Sequence, residues 1–276
     1  MRHTFDVAII GGMGPLATAE LVRRVYLYTD AKKDLEHPSL CVFSAPDIPD
    51  RSEYILSNQS KRRKPPFVTE KKHQKSRSNA PATPLKAIKR QIRLAKKLHC
   101  RYFAIGCNTA HYFYRDYEKT RGIRFINAVK DTLNYVFSVY PKRDVCVLAT
   151  LGTVKADIYG SISPKGTKIN YPSPSVCGEI MELIRDIKAG QVELSDSDTL
   201  PCDKNFSSLL SHLKEEFDTE KTVFILGCTE LSLIADYFKP LTAVDSTDVL
   251  AGRIISVCEK KLNTKGFKLK TEFFEE

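Results

Sequence analysis

The chain has 276 residues, 42% of them hydrophobic, with eight cysteines and a formal net charge of +10. That length and composition fit a globular protein of one large domain or two medium ones and exclude a disordered chain, and no run approaches the roughly 20 apolar residues of a membrane-spanning helix. The cysteines are too sparse and irregular for a disulfide scaffold and include no CxxC pair, so neither disulfides nor a metal site is expected and a reducing, cytoplasmic setting is.

Met1-Arg2-His3-Thr4 runs straight into a short apolar strand, Phe5–Ile10, with no pattern of a cleaved leader. The stretch "IIGGMGPLATAELV" (Ile9–Val22) places Gly12-x-Gly14-x-x-Ala17 between that strand and a helix. This matches a dinucleotide fingerprint loosely, but Pro15 removes an amide at the closest approach, and the next strand, Leu40–Ser44, does not end in the expected acid. A turn that binds a small carboxylate, or simply packs, fits better. "SAPDIPDRSEYIL" (Ser44–Leu56) reads as a proline-punctuated loop carrying Arg51. A guanidinium there could fork onto a substrate carboxylate or pair locally with Asp47, Asp50 or Glu53, and loop position leaves the two even.

From Ser57 to Pro81 the chain is polar, basic and aperiodic, which predicts a surface loop. Residues 61–78 carry eight Lys or Arg against one Glu, so seven of the ten net positive charges sit in this insertion. The rest of the protein is close to an ordinary balance, and solvated decoration is favoured there over nucleic-acid binding. Thr83-Pro84 then opens a helix with Leu85, Ile88, Ile92, Ala95 and Leu98 on one face and most of its basic residues elsewhere.

Further strands are expected at Tyr102–Ile105, Val145–Ala149 and Val223–Leu226, with a weaker one at Lys168–Tyr171. They are nearly continuous apolar runs, as in a parallel sheet covered on both faces. Alternating strands and helices imply an α/β architecture. Within it, "FAIGCNTAHYF" (Phe103–Phe113) returns 121 residues later as "FILGCTELSLI" (Phe224–Ile234), which implies two similar halves rather than one long sheet. Cys107 and Cys228 would then lie at strand carboxyl ends, where parallel sheets bind ligands. A thiol becomes a useful acid or base when a helix N-terminus or a cation steadies its thiolate. Asn108, Thr109 and Thr229 supply polar groups beside the two cysteines, and His111 could tune Cys107 or only hold structure. The other six cysteines lack this setting. Two thiols facing one carbon suit stereochemical inversion, one taking a proton and the other returning one. "VLATLGTVKADIY" (Val147–Tyr159) offers Thr150 and Thr153 either to a carboxylate or as helix caps, and Lys188 in "IRDIKAGQ" reads on its own as an ordinary helix ending.

The ordered set "GGMGPLAT", "PDIPDRSEYIL", "CNTAHYFY", "LATLGTVKADIY", "IKAG", "LGCTELSLI" and "DSTDVLA" resembles the aspartate racemases of the aspartate/glutamate/hydantoin racemase superfamily over nearly the whole chain. "GCTELS", where glutamate racemases carry Gly-Cys-Thr-His, points to the aspartate branch. The resemblance implies two pseudo-symmetric α/β domains with the active site in the cleft between them, and neither cofactor nor metal. It assigns Cys107 and Cys228 as the acid/base pair and Arg51 and Lys188 as the groups that hold substrate carboxylates. It places Met13, Gly14, Asn108, Thr109, Thr150, Thr153, Thr229 and Glu230 around the site. The first domain is expected at 1–123 plus 240–276, with the insertion at about 59–78, and the second at 124–239. Members commonly form homodimers. Three features depart from the pattern: Gly106 stands where a proline is common, "LHCRY" replaces the usual lead into its strand, and the basic insertion comes after the Arg51 segment. The expected activity is interconversion of L- and D-aspartate. The alternatives are a racemase of broader amino-acid range and a non-catalytic protein that binds an acidic ligand.

Overall fold

The computed structural model describes residues 4–59, 83–191 and 203–259. The basic charges at 61–78 therefore lie outside the described residues. Two four-stranded parallel sheets form the frame. The first half runs β1 (Phe5–Gly11), α1 (Pro15–Tyr28), β2 (Leu40–Ser44), α2 (Arg51–Gln59), α3 (Pro84–Lys97), β3 (Cys100–Ile105), α4 (Tyr114–Glu118) and β4 (Arg124–Ile126). After α5 (Ala128–Val139), the second half runs β5 (Asp144–Leu148), α6 (Leu151–Lys155), α7 (Ile158–Ile162), β6 (Ile169–Asn170), α8 (Pro174–Lys188), α9 (Asp203–Glu216), β7 (Thr222–Leu226) and β8 (Ala243–Asp245). Helix α10 (Ser246–Glu259) ends the described chain. The sheet orders, β2-β1-β3-β4 and β6-β5-β7-β8, are the same permutation of their strands. The twofold repetition expected from the cysteine motifs is thus a property of the fold.

Each central strand is buried on both faces. Ala8 and Ile10 point to α3, packing with Ile88, Ile92, Phe103 and Tyr117. Val7 and Ile9 point the other way, to Leu21, Val25, Ile254 and Ile255 of α1 and α10. In the second half Leu148 and Phe224 meet Ile180, Ile184 and Leu213, while Val147 and Ile225 meet Val129, Leu133 and Tyr159. Each such Val, Leu or Ile side chain contributes about 1.5–3 kcal/mol on burial.

Helix α3 begins as its sequence predicts: Thr83 accepts a hydrogen bond from the Lys86 amide and Pro84 occupies the first turn. It stops at Lys97, so Leu98 is a cap residue, 42% exposed, and not part of the stripe.

The three-residue strands β4 and β8 are too short to leave a periodic signal in the sequence. They complete the two sheets, which end at Ile126 and Asp245. The segment around Arg51 also differs from the expected loop: Asp50 accepts from the Glu53 amide at 2.7 Å and starts α2, which runs to Gln59. Among the described residues no helix is long and apolar enough to cross a membrane.

Candidate active site

The two cysteines leave their sheets in the same way. Gly106 donates its last ladder bond to the Ile10 carbonyl at 3.0 Å, and Gly227 donates to that of Leu148 at 2.8 Å. Cys107 and Cys228 come next in the chain, just beyond β3 and β7. Each leads into a 3₁₀ segment, Thr109–Phe113 and Leu231–Phe238, rather than the start of an α-helix. Both cysteines are buried, 7% and 5% exposed, and both line one small inner chamber.

Arg51, the first residue of α2, is the cation beside Cys107. Its guanidinium is buried and donates to the carbonyls of Met13 (2.8 Å), Ile48 (3.2 Å) and Pro49 (3.3 Å). Burial works against its charge, but Cys107 and Asp50 outweigh that and raise its pKa. Among the described residues no carboxylate lies within ion-pair distance of it, so the local salt bridge open to the sequence does not form. Its Nε has no hydrogen-bond partner among the described residues.

Cys228 has the opposite setting. Its thiol donates to Glu230 Oε2 at 2.9 Å, as does the Thr229 hydroxyl at 3.4 Å. Burial first, and the Glu230 carboxylate second, push the Cys228 pKa well above its ordinary value, so this sulfur is a thiol. Lys188, the last residue of α8, brings Nζ to 3.6 Å from Glu230 Oε1. Burial lowers the Lys188 pKa, but Glu230 and the two cysteines raise it further, leaving a firm cation.

The polar residues divide into two groups. Thr109 Oγ1 lies 2.9 Å from Thr150 Oγ1 and 3.0 Å from Thr153 Oγ1, and Ser52 donates to Thr150 at 3.1 Å. This hydroxyl chain joins α2 and the Cys107 loop to α6. Asn108 bridges the halves differently, accepting from Tyr159 at 2.9 Å and donating to Ser246 at 3.0 Å. His111 has no role at the thiol: Nδ1 donates to the Cys107 carbonyl at 3.0 Å, and complete burial pushes the ring's pKa down to about 4, keeping it neutral.

The inner chamber is lined by Met13, Arg51, Cys107, Asn108, Thr109, Thr150, Lys188, Cys228, Thr229 and Glu230. An outer cleft of about 330 Å³ shares Met13, Arg51, Lys188 and Glu230 with it and adds Gly14 and apolar walls such as Leu16, Ile48 and Ile187. Of the residues that the resemblance places around the site, Thr153 touches neither cavity; it is fully buried behind Thr150. The structure adds Asp50 and Ser52 to the lining, and Tyr159 and Ser246 behind it. All four fall inside the sequence motifs, but nothing in a linear pattern marks which motif residue faces the site. Among the described residues no group of three or more His, Cys, Asp or Glu is placed to hold a metal ion.

Two repeated α/β halves, with a thiol from each in one cleft, define the class to which this architecture belongs. The sequence matches the Asp/Glu/Hydantoin racemase family profile over residues 10–254, and the chain belongs to that family. It is 21% identical over 255 residues to the broad specificity amino-acid racemase RacX of Bacillus subtilis, covering 91% of this chain and 96% of that protein. The fold superimposes on the aspartate racemase of Picrophilus torridus with a TM-score of 0.69 at 22% identity, over 98% of this chain and 100% of that one. It also superimposes on glutamate racemase isoform RacE1 of Bacillus anthracis with a TM-score of 0.59 at 16% identity, over 95% of this chain and 84% of that one.

Proposed function

We propose that this protein is a cofactor-independent racemase that interconverts L- and D-aspartate through Cys107 and Cys228. The observation that carries the reading is that equivalent ends of two repeated sheets deliver one thiol each into a single chamber, with Arg51 against one and Lys188–Glu230 against the other. In one direction the Cys107 sulfur, as thiolate, takes the Cα proton; the Cα–H bond breaks and an S–H bond forms. Cys228, held as a thiol, then returns its proton to the opposite face and is left as the thiolate for the reverse reaction. Charge that develops on the substrate carboxylate is met by Arg51 and by the hydroxyl and amide groups of the chamber. Exclusion of water from the cleft when substrate is bound would strengthen these interactions.

A racemase of broader amino-acid range is the second reading, favoured by the apolar walls of the outer cleft and by the similarity to RacX. A reducing, cytoplasmic setting belongs to the proposal, since eight cysteines without a CxxC pair do not make a disulfide scaffold in a chain of this length. A domain division near 123 and 240 and a homodimer complete the proposal.

The test is α-proton exchange. L-aspartate is incubated with the protein in D₂O without cofactor, and loss of Cα–H is followed by NMR beside chiral chromatography. The wild type should give deuterated D-aspartate, and Cys107→Ala and Cys228→Ala should each lose racemisation by about 10²–10⁴-fold. Exchange with other amino acids but not aspartate moves the protein to the second reading. No exchange with any amino acid, in folded and reduced protein, leaves a binding protein.

A further inference from the structure

Glu230 holds an oxygen that has an ion-pair neighbour but no hydrogen-bond partner among the described residues. The residue is 3% exposed, and its Oε2 is engaged by Cys228 and Thr229. Its Oε1 is buried with no hydrogen-bond partner among the described residues, and Lys188 Nζ at 3.6 Å stands beyond hydrogen-bonding reach. Buried carboxylate oxygens are ordinarily paired, so an unpaired one on a residue that lines a cavity marks a place for a donor from outside once the side chain adjusts to it. Gly14 packs against this oxygen: a Cβ at position 14 would fall 2.5 Å from Glu230 Oε1 and crowd it. Glu230 lines both the inner chamber and the outer cleft.

We propose that Glu230 is the receptor for the substrate's α-ammonium group, and that Arg51, Lys188 and Glu230 form a three-point charge complement to an acidic amino acid. Arg51 is anchored by three backbone carbonyls and has no carboxylate partner among the described residues, so its charge is available to the α-carboxylate. Lys188 stands at the shared rim of the two cavities with its side chain 34% exposed, within reach of the side-chain carboxylate. The fourth charge on the lining, Asp50, is engaged as the cap of α2. With Cys107 reserved as the base and Asp50 turned to the α2 cap, Arg51, Lys188 and Glu230 are the charges left to face two carboxylates and one ammonium in the substrate. A dicarboxylate without the ammonium would set Glu230 against like charge and is rejected. The inference rests on the racemase reading only for its choice of an acidic amino acid.

The test is isothermal titration of L-aspartate and of succinate, which lacks the amino group, into the full chain and into Glu230→Gln and Lys188→Met. The wild type should bind aspartate at least about tenfold more tightly than succinate. Glu230→Gln should weaken aspartate by a similar factor while leaving succinate unchanged or tighter, and Lys188→Met should weaken both. A merely structural role for Glu230 would lower the two affinities together, and that result overturns the proposal. So does an unchanged aspartate affinity in Glu230→Gln, or a wild type that prefers succinate, binds the two equally or binds neither; the wild-type comparison decides even if a variant does not fold. The racemase reading is measured apart from this, by Cα–H exchange. Selective binding through Glu230 without exchange removes the racemase and keeps the receptor, and exchange of amino acids with no Glu230-dependent selectivity does the reverse.

Discussion

Cys228 donates its thiol hydrogen to Glu230 Oε2 at 2.9 Å, so the proton on this sulfur is held both by burial and by an adjacent carboxylate. Replacing the carboxylate with an amide removes the second cause and leaves the first. The thiol pKa should therefore fall in Glu230→Gln without reaching that of a free cysteine. At any fixed pH near 8, alkylation of Cys228 by iodoacetamide should speed up by about tenfold or more, since only the thiolate reacts. Mass spectrometry of the Cys228 peptide against time and pH gives the rate, and the ratio of variant to wild type cancels the effect of access. An unchanged ratio would show that burial alone sets this thiol.

Gly152 on α6 lies against Ser52 on α2: a Cβ at position 152 would fall 2.6 Å from the Ser52 Cα, a backbone atom that cannot swing aside. The same seam carries the Ser52–Thr150 and Thr150–Thr109 contacts that tie the Cys107 loop to the second half. Gly152→Ala should push α6 from α2 and part this chain. The expected cost is about 1–3 kcal/mol in urea unfolding, from overpacking. Racemisation should drop by about 10²-fold, because displacements of an ångström near reacting groups cost that much. Full activity with the stability loss alone would separate the seam from the chemistry.

The central strands, α3 and the repeated cysteine turns were legible because each is a local pattern: a continuous apolar run, a capped stripe, a motif that recurs. The hidden remainder depends on contacts made only by folding. Lys188 looks like an ordinary helix end until Glu230, 42 positions away in the chain, stands beside it. Arg51 sits in a proline-punctuated stretch that reads as a loop, and only the Asp50 cap makes it the start of a helix. Arg24 falls in "ELVRRVYLY" with nothing to mark it as buried, since its partners Asp245 and Asp248 lie more than 200 residues on. Thr153 carries a motif hydroxyl yet faces its own neighbours rather than the cleft.

His111 is buried and neutral, with its ring N–H on the Cys107 carbonyl and its pKa depressed to about 4. The unfolded chain takes up a proton on this ring near pH 6.5, whereas the folded chain does so only near 4. The stability it contributes is thus fully present above about pH 6.5 and lost as pH falls towards 4, by on the order of 3 kcal/mol. His111→Asn keeps an amide donor for the carbonyl and removes the titration. Urea unfolding between pH 4 and pH 7 should show a shallower acid-side decline in the variant. Parallel curves would mean that the buried ring is not a source of acid sensitivity.

Arg24 on α1 is buried at 5% exposure and meets three carboxylates, Glu20 and Asp248 at 2.7 Å each and Asp245 in a closer contact. It also donates to the Ser232 carbonyl, tying the segment after Cys228 to α1 and to the start of α10. Glu20 is shared with Arg23 at 2.7 Å, which leaves one guanidinium to Asp245 and Asp248; burial together with the nearby Asp245 pushes Asp248 up to about 6. Between the unfolded value near 3.8 and this folded value, the native protein holds the extra proton. Asp248 therefore favours the fold fully below about pH 4, and this contribution is lost as pH rises to about 6. Asp248→Asn removes that slope, so the stability of the variant relative to wild type should climb from pH 4 to pH 6 and level off above it. Arg24→Met tests the same cluster from the other side. It strands buried carboxylates and should cost about 3–5 kcal/mol at pH 7, but less at pH 4, where Asp248 is protonated in the native state. A cost for Arg24→Met that does not change with pH would refute the shared-cation account of this cluster.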